Sequence, residues 1–148
     1  MNDKLHDLLK VNLPVFQAGK LNCAEAVLLT MCEYYHIELR DCPTIATALG
    51  GGLSGTQSLC GAISGALMVI GLKHGRLMGG DKAPAYDLGK RFMAWYKENE
   101  LSLNCSELTG MDLTDPDQMA AFRADGGKHE TLCQKIVKDT CAWLIDNL

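Results

Sequence analysis

No two of the seven cysteines stand in the C-x-x-C spacing. That absence removes thioredoxin-like dithiols, zinc ribbons and c-type haem attachment together. Basic clusters are missing too, and with a net charge of -4 the chain is not expected to bind nucleic acid. No apolar run reaches the roughly twenty residues that a membrane span requires, so direct membrane insertion is not expected; the charge-free stretch Leu59–Leu72 has fourteen. The opening MNDKLHDLLKVNL carries acids and amides where a signal peptide needs a continuous apolar core, which points to a cytoplasmic protein. Asp81, Asp87 and the Asp112–Asp117 acids form no paired catalytic arrangement and read as caps and surface. Gly50-x-Gly52-x-x-Gly55 matches a dinucleotide fingerprint in form but lacks a surrounding βαβ unit, and Gly55-Thr56 lacks the lysine of a phosphate loop.

What is present is helical. At 148 residues, 47% hydrophobic and 22% charged, the chain suits one core and is short for two. Residues 1–148 therefore read as a single compact all-α, multi-helix domain. Its organising stretch is Leu49–Gly75. Three glycines, Gly50 to Gly52, lead through a polar run to a helix capped by Ser58 and stopped by Gly75. With neither proline nor charge between Leu59 and Leu72, this Gly/Ala-rich helix should be central and buried. Gly61 and Gly65, with Ala62 and Ala66, place small side chains at four-residue spacing. Such a face suits close packing within the chain or a homodimer.

Around it, Asp3 is expected to cap a first helix that Pro14 breaks or kinks. Asn22-Cys23-Ala24-Glu25 approximates a capping box for a second helix fading near Tyr35. A short segment runs from Pro43 to Leu49, with a strand as the alternative. Pro84 opens an amphipathic helix to about Glu100, with Leu88, Phe92, Trp95 and Tyr96 inward. Asn104-Cys105-Ser106-Glu107 repeats the cap–cysteine–acid pattern, Asp115-Pro116 starts another helix, and Thr131–Gln134 opens the last. His74 and His129 lie near site segments and could supply a ligand or a proton, but read first as solvated helix-end histidines. Lys128 could favour the Cys133 thiolate but reads first as a surface lysine; Trp95 and Trp143 read as core or interface anchors.

This map sorts the cysteines. Cys23, Cys60, Cys105 and Cys133 each fall one or two residues after an expected cap, where unpaired amides and the helix dipole favour a thiolate. Cys32 and Cys141 lie inside helices and read as packing, and Cys42 is intermediate.

Asn22-Cys23-Ala24-Glu25-Ala26-Val27, the glycines leading into Cys60-Gly61-Ala62-Ile63-Ser64-Gly65, Asn104-Cys105-Ser106-Glu107-Leu108, and Cys133 with Val137 together resemble the redox-active C_GCAxxG_C_C family. The resemblance runs from about Leu8 onward. It implies that Cys23, Cys60, Cys105 and Cys133 are the four family cysteines, and that Cys32, Cys42 and Cys141 lie outside the pattern. It also implies an unidentified redox partner and an association with membrane transporters. Three functions follow as expectations. Four converging thiolates could hold an iron–sulfur cluster or a metal such as zinc for electron transfer, with Gly51, Gly52, Gly61 and Gly65 admitting amides near the sulfurs. The same thiols could form a reversible disulfide without metal. Or the protein could be a non-catalytic helical accessory module for a transporter. The separated helix starts favour the ligand cage.

Overall fold

The charge-free run becomes the axis of the molecule. In the computed structural model, which describes residues 2–148, the helices are α1 (Asp3–Gln17), α2 (Cys23–Tyr35), α3 (Gly61–His74), α4 (Ala83–Asn99), α5 (Cys105–Thr109), α6 (Pro116–Arg123) and α7 (Gln134–Asn147). A 3₁₀ turn covers Thr44–Leu49 and a π turn covers His129–Cys133. There is no strand among the described residues; a single antiparallel bridge joins Leu59 to Asn104. The domain is all-α, and the strand alternative for Thr44–Leu49 gives way to the 3₁₀ turn.

α3 is wrapped by α2, α4, α7 and the 3₁₀ turn, and α1 lies across α2 and α7. It buries Ile63, Ala66, Val69 and Ile70 on different faces, which explains why its sequence shows no polar side over these turns. Against it stand Val27, Leu28 and Met31 of α2, Phe92 and Tyr96 of α4, and Val137, Cys141 and Leu144 of α7. Trp95 and Trp143, half-buried, stack near Phe92 at the α4–α7 seam with their rings 6.0 Å apart.

The small-residue face of α3 is used within the chain. A Cβ on Gly65 would lie 2.8 Å from the carbonyl oxygen of Ala24, and one on Gly61 would lie 3.0 Å from Cys23 Cβ. The two helix backbones meet there, so this face is not open to a second copy. Bringing backbones this close offsets the ~1 kcal/mol that each interior glycine costs relative to alanine.

Three local expectations are corrected. Asn2, not Asp3, caps α1, its side chain accepting from Leu5 N at 2.9 Å. Pro14 does not end α1, which continues to Gln17. Leu5, Leu9 and Phe16 bury one side of α1, and Asn12 binds Thr30 and Glu33 of α2. That packing outweighs the one missing amide. Ser58 and Asn104 do not cap by their side chains. Their segments run side by side through the bridge, with Cys105 N donating to Ser58 O at 2.7 Å and Cys60 N donating to Leu103 O at 2.8 Å. Cys60 itself is the residue preceding α3.

Gly65→Ala is expected to lower stability by about 1–3 kcal/mol because the methyl meets backbone. Gly71→Ala, whose Cβ would touch nothing within 4 Å, should raise it by up to about 1 kcal/mol. Paired urea melts check both; equal effects would refute the close-packing account.

Candidate functional site

The site is assembled from three chain segments docked on the start of α2. A full capping box fixes that start: Asn22 Oδ1 accepts from Glu25 N at 2.9 Å and Glu25 Oε2 accepts from Asn22 N at 2.8 Å. The same two side chains hold the 3₁₀ turn, Asn22 Nδ2 donating to Thr47 O at 2.9 Å and Thr47 Oγ1 donating to Glu25 Oε1 at 2.6 Å. The glycine loop then folds tightly over this corner. Gly52 has a φ of +69°, and a Cβ on it would sit 2.7 Å from Cys105 Cβ, so no larger residue fits there.

Around this corner lies a small cavity of about 30 Å³, lined by Cys23, Cys60, Cys105 and Cys133 with Gly51, Gly52 and Gly61. Ala62, Leu108, Thr109 and Ile136 complete its wall. Gly65 does not line it; it serves the α2–α3 contact instead. Four cysteines spread over more than a hundred positions thus face one space. Cys32, Cys42 and Cys141 do not.

The placement of the four relative to helix ends differs from expectation. Cys23 and Cys105 open α2 and α5, and Cys60 caps α3. Cys133, however, lies inside a continuous helical stretch, because the π turn beginning at His129 runs directly into α7. Thr131–Gln134 is therefore not a helix start, and Cys133 receives no terminal dipole.

Nor are Cys23, Cys60 and Cys105 poised as thiolates. Burial drives Cys60 and Cys105 up to about 11. Cys23 is raised as well, first by the neighbouring Cys133 thiol and then by burial. Favourable groups exist: the Tyr96 hydroxyl and the amides of Ala62 and Ile63 face Cys60, the Gln57 amide faces Cys105, and Arg123 acts on Cys23. Desolvation exceeds them, because removing a charge from water costs more than a few dipoles return. At rest Cys23, Cys60 and Cys105 are held as protonated thiols.

The surroundings of three residues near the site could not be read from the sequence. Tyr96 was legible as an inward residue, but its hydroxyl is buried with no oxygen or nitrogen partner and faces Cys60. Gln57 is buried and ties the glycine loop to the segment after α5, accepting from Leu113 N at 2.9 Å and donating to Met111 O at 2.8 Å. His129 is not solvated. It is 3% exposed, stacks on Phe16 at 4.3 Å, and is pushed down to about 4 by burial and then by Arg123. Lys128 donates to the carbonyl of Thr109, joining the π turn to the end of α5 rather than serving Cys133. His74 is half-buried, with Nε2 enclosed and unpartnered.

The model of one protein family matches residues 21–146, and it is described as "Putative redox-active protein (C_GCAxxG_C_C)". The chain belongs to the C_GCAxxG_C_C family. No curated protein and no solved structure matches it. For this C_GCAxxG_C_C protein, no helix among the described residues is long and apolar enough to cross a membrane. Among those residues, no three His, Cys, Asp or Glu side chains are grouped as the ligands of a metal ion.

Because Cys60 and Cys105 stay protonated up to about pH 11, their alkylation by iodoacetamide should be slow near neutral pH and rise steeply only well above the ordinary thiol value of about 8.5. The folded state holds these protons more tightly than the unfolded chain. The resulting stability is complete below about pH 8.5 and is lost as pH climbs through the folded values. Native-state labelling with a midpoint at or below that ordinary value would refute the burial argument. Tyr96→Phe should move the Cys60 curve to still higher pH, with a change in stability of no more than about 1 kcal/mol, since the hydroxyl it removes lacks an oxygen or nitrogen partner. An unshifted curve would show that the hydroxyl does not act on the sulfur.

Proposed function

We propose that this redox-active protein works as a two-electron thiol–disulfide centre, with Cys23 and Cys133 as the pair that bonds and Cys60 and Cys105 as the flanking thiols. The observation that carries this reading is that Cys23 and Cys133 line one small cavity, where the Cys133 thiol acts on Cys23. Two neighbouring thiols are the reduced half of such a couple. In the oxidising step the two sulfurs lose two protons and two electrons and form one S–S bond. A disulfide on a redox partner accepts both and becomes two thiols. Arg123, which opposes the rise at Cys23, supports formation of the attacking thiolate. A reducing compartment such as the cytoplasm suits seven unpaired cysteines.

A metal-held state is the second reading, supported by four sulfurs lining one cavity. The residues as they stand do not fit an iron–sulfur cluster. No three of them are grouped as ligands, and about 30 Å³ has room for one water-sized ion rather than several iron and sulfur atoms. The sulfurs would have to draw together and shed protons to hold even a single ion.

Mild oxidation of the purified full chain, followed by alkylation and peptide mass spectrometry, should yield a Cys23–Cys133 disulfide that is absent in Cys133→Ser. Thiols unchanged by oxidation, together with about one equivalent of iron or zinc by elemental analysis that Cys60→Ser releases, would overturn the disulfide reading in favour of the metal.

A further inference from the structure

Cys32 and Cys42, which the family pattern leaves out, meet at a second place on the molecule. Cys32 lies in the last turns of α2 and is 4% exposed; Cys42 lies in the turn leading to the 3₁₀ segment and is half-buried. Although ten residues apart in sequence, both line one surface groove with Leu29, Glu33, His36 and Glu38. The chain reverses between them. His36 takes a left-handed conformation with φ 54°, and Ile37 N donates back to Cys32 O at 2.9 Å. Cys42 N then donates to Leu39 O at 3.1 Å. This turn returns Cys42 to the groove that Cys32 lines, where each thiol alters the proton affinity of the other.

We propose that Cys32 and Cys42 form a second thiol–disulfide couple, separate from the four-cysteine cavity, that reacts through this groove with small cationic disulfides. Cys42 is the more accessible sulfur and Cys32 the enclosed one, so the order of attack follows from exposure. The Cys42 thiolate attacks one sulfur of the small disulfide, forming a mixed disulfide and expelling one thiolate. Cys32 loses its proton to solvent and attacks the Cys42 sulfur, expelling the second thiolate. The two expelled thiolates take up the two protons. One external disulfide becomes two thiols, and the two protein thiols become one disulfide.

The preference for a cation follows from the groove's charges. Glu33 and Glu38 line it, and Glu33 raises both thiols. Glu33 also accepts from Asn12 Nδ2 at 2.8 Å, which fixes its carboxylate. Within the turn Arg40 pairs with Asp41 at 3.4 Å, and Lys4 lies 3.0 Å from His36 Nε2 and donates to Tyr34 O at 2.5 Å; neither cation lines the groove. Burial raises both thiols, Cys32 up to about 12, so exchange should be slow at neutral pH and quicken as the solution becomes alkaline.

The test uses the full chain with cystamine as the probe, quenched by alkylation and read by peptide mass spectrometry. Cys32 and Cys42 should lose two hydrogens together and appear as one linked peptide pair, restored by dithiothreitol. Cys42→Ser should reduce loss of the free Cys32 thiol by at least about tenfold, and Cys32→Ser should instead trap cysteamine on Cys42. Trapping is read on the intact thiol, so it reports even if the variant is less stable. In Cys23→Ser/Cys133→Ser the Cys32–Cys42 link should persist, which separates this couple from the cavity pair. A chain in which both residues remain alkylatable after cystamine, or in which Cys42 carries cysteamine while Cys32 stays free, would overturn the proposal.

Discussion

The close approach of α2 and α3 governs the rest of the molecule. Where Gly61 and Gly65 meet Ala24 and Cys23, backbone lies against backbone, and a single added methyl would collide with a carbonyl. This contact sets the first turn of α2 beside the first turn of α3, so Cys23 and Cys60 come to one cavity as a by-product of packing. The glycine loop must then turn tightly to reach α3, and its left-handed residues at Gly51 and Gly52 follow from that demand. The bridge between Leu59 and Asn104 carries Cys105 in from the other side. The positions of Cys23, Cys60 and Cys105 thus follow from backbone contacts, while Cys133 is brought in by the π turn that leads into α7.

Helix termini and burial pull the thiols in opposite directions, and burial prevails. Two cysteines open helices and a third caps one, positions that in water would lower a thiol's proton affinity. The same close packing that gathers them excludes the solvent a thiolate requires. With the cavity at about 30 Å³ there is space for a water molecule but not for a hydration shell. Such a site keeps its protons until a neighbouring sulfur, a partner or an ion takes them. The family to which the chain belongs is described as redox-active.

The remaining cysteines divide in the same physical terms. Cys141 is fully enclosed by hydrocarbon in α7 and pushed up to about 12 by burial alone, which is the behaviour of a small core residue. Cys32 differs because a turn returns the chain to it. His129 makes the complementary point: a residue after a glycine pair, which reads as solvated, becomes core because the π turn rotates it onto Phe16 and Phe122.

Much of the fold was legible along the chain, because local signals and burial agree there. The uncharged run from Leu59 to Leu72 reads as a helix buried on most sides, and α3 is buried from Gly61 to Ala66 and at Val69 and Ile70, although Leu67 and Leu72 reach the surface. Asn22 and Glu25 cap as their spacing implies, and Ile136, Val137, Thr140, Cys141 and Leu144 turn inward in register. The identity of the four cavity cysteines was likewise readable from their motifs. What the chain could not reveal are quantities that arise only when distant segments meet. These are the dominance of desolvation over the dipole, the occupation of the small-residue face by α2, the Tyr96 hydroxyl at Cys60, the continuity of helix through Cys133, and the meeting of Cys32 with Cys42. Sequence determines which residues prefer a helix start or a buried face, since those preferences are local. Tertiary structure alone decides how much water is left beside a sulfur and which sulfur stands next to it.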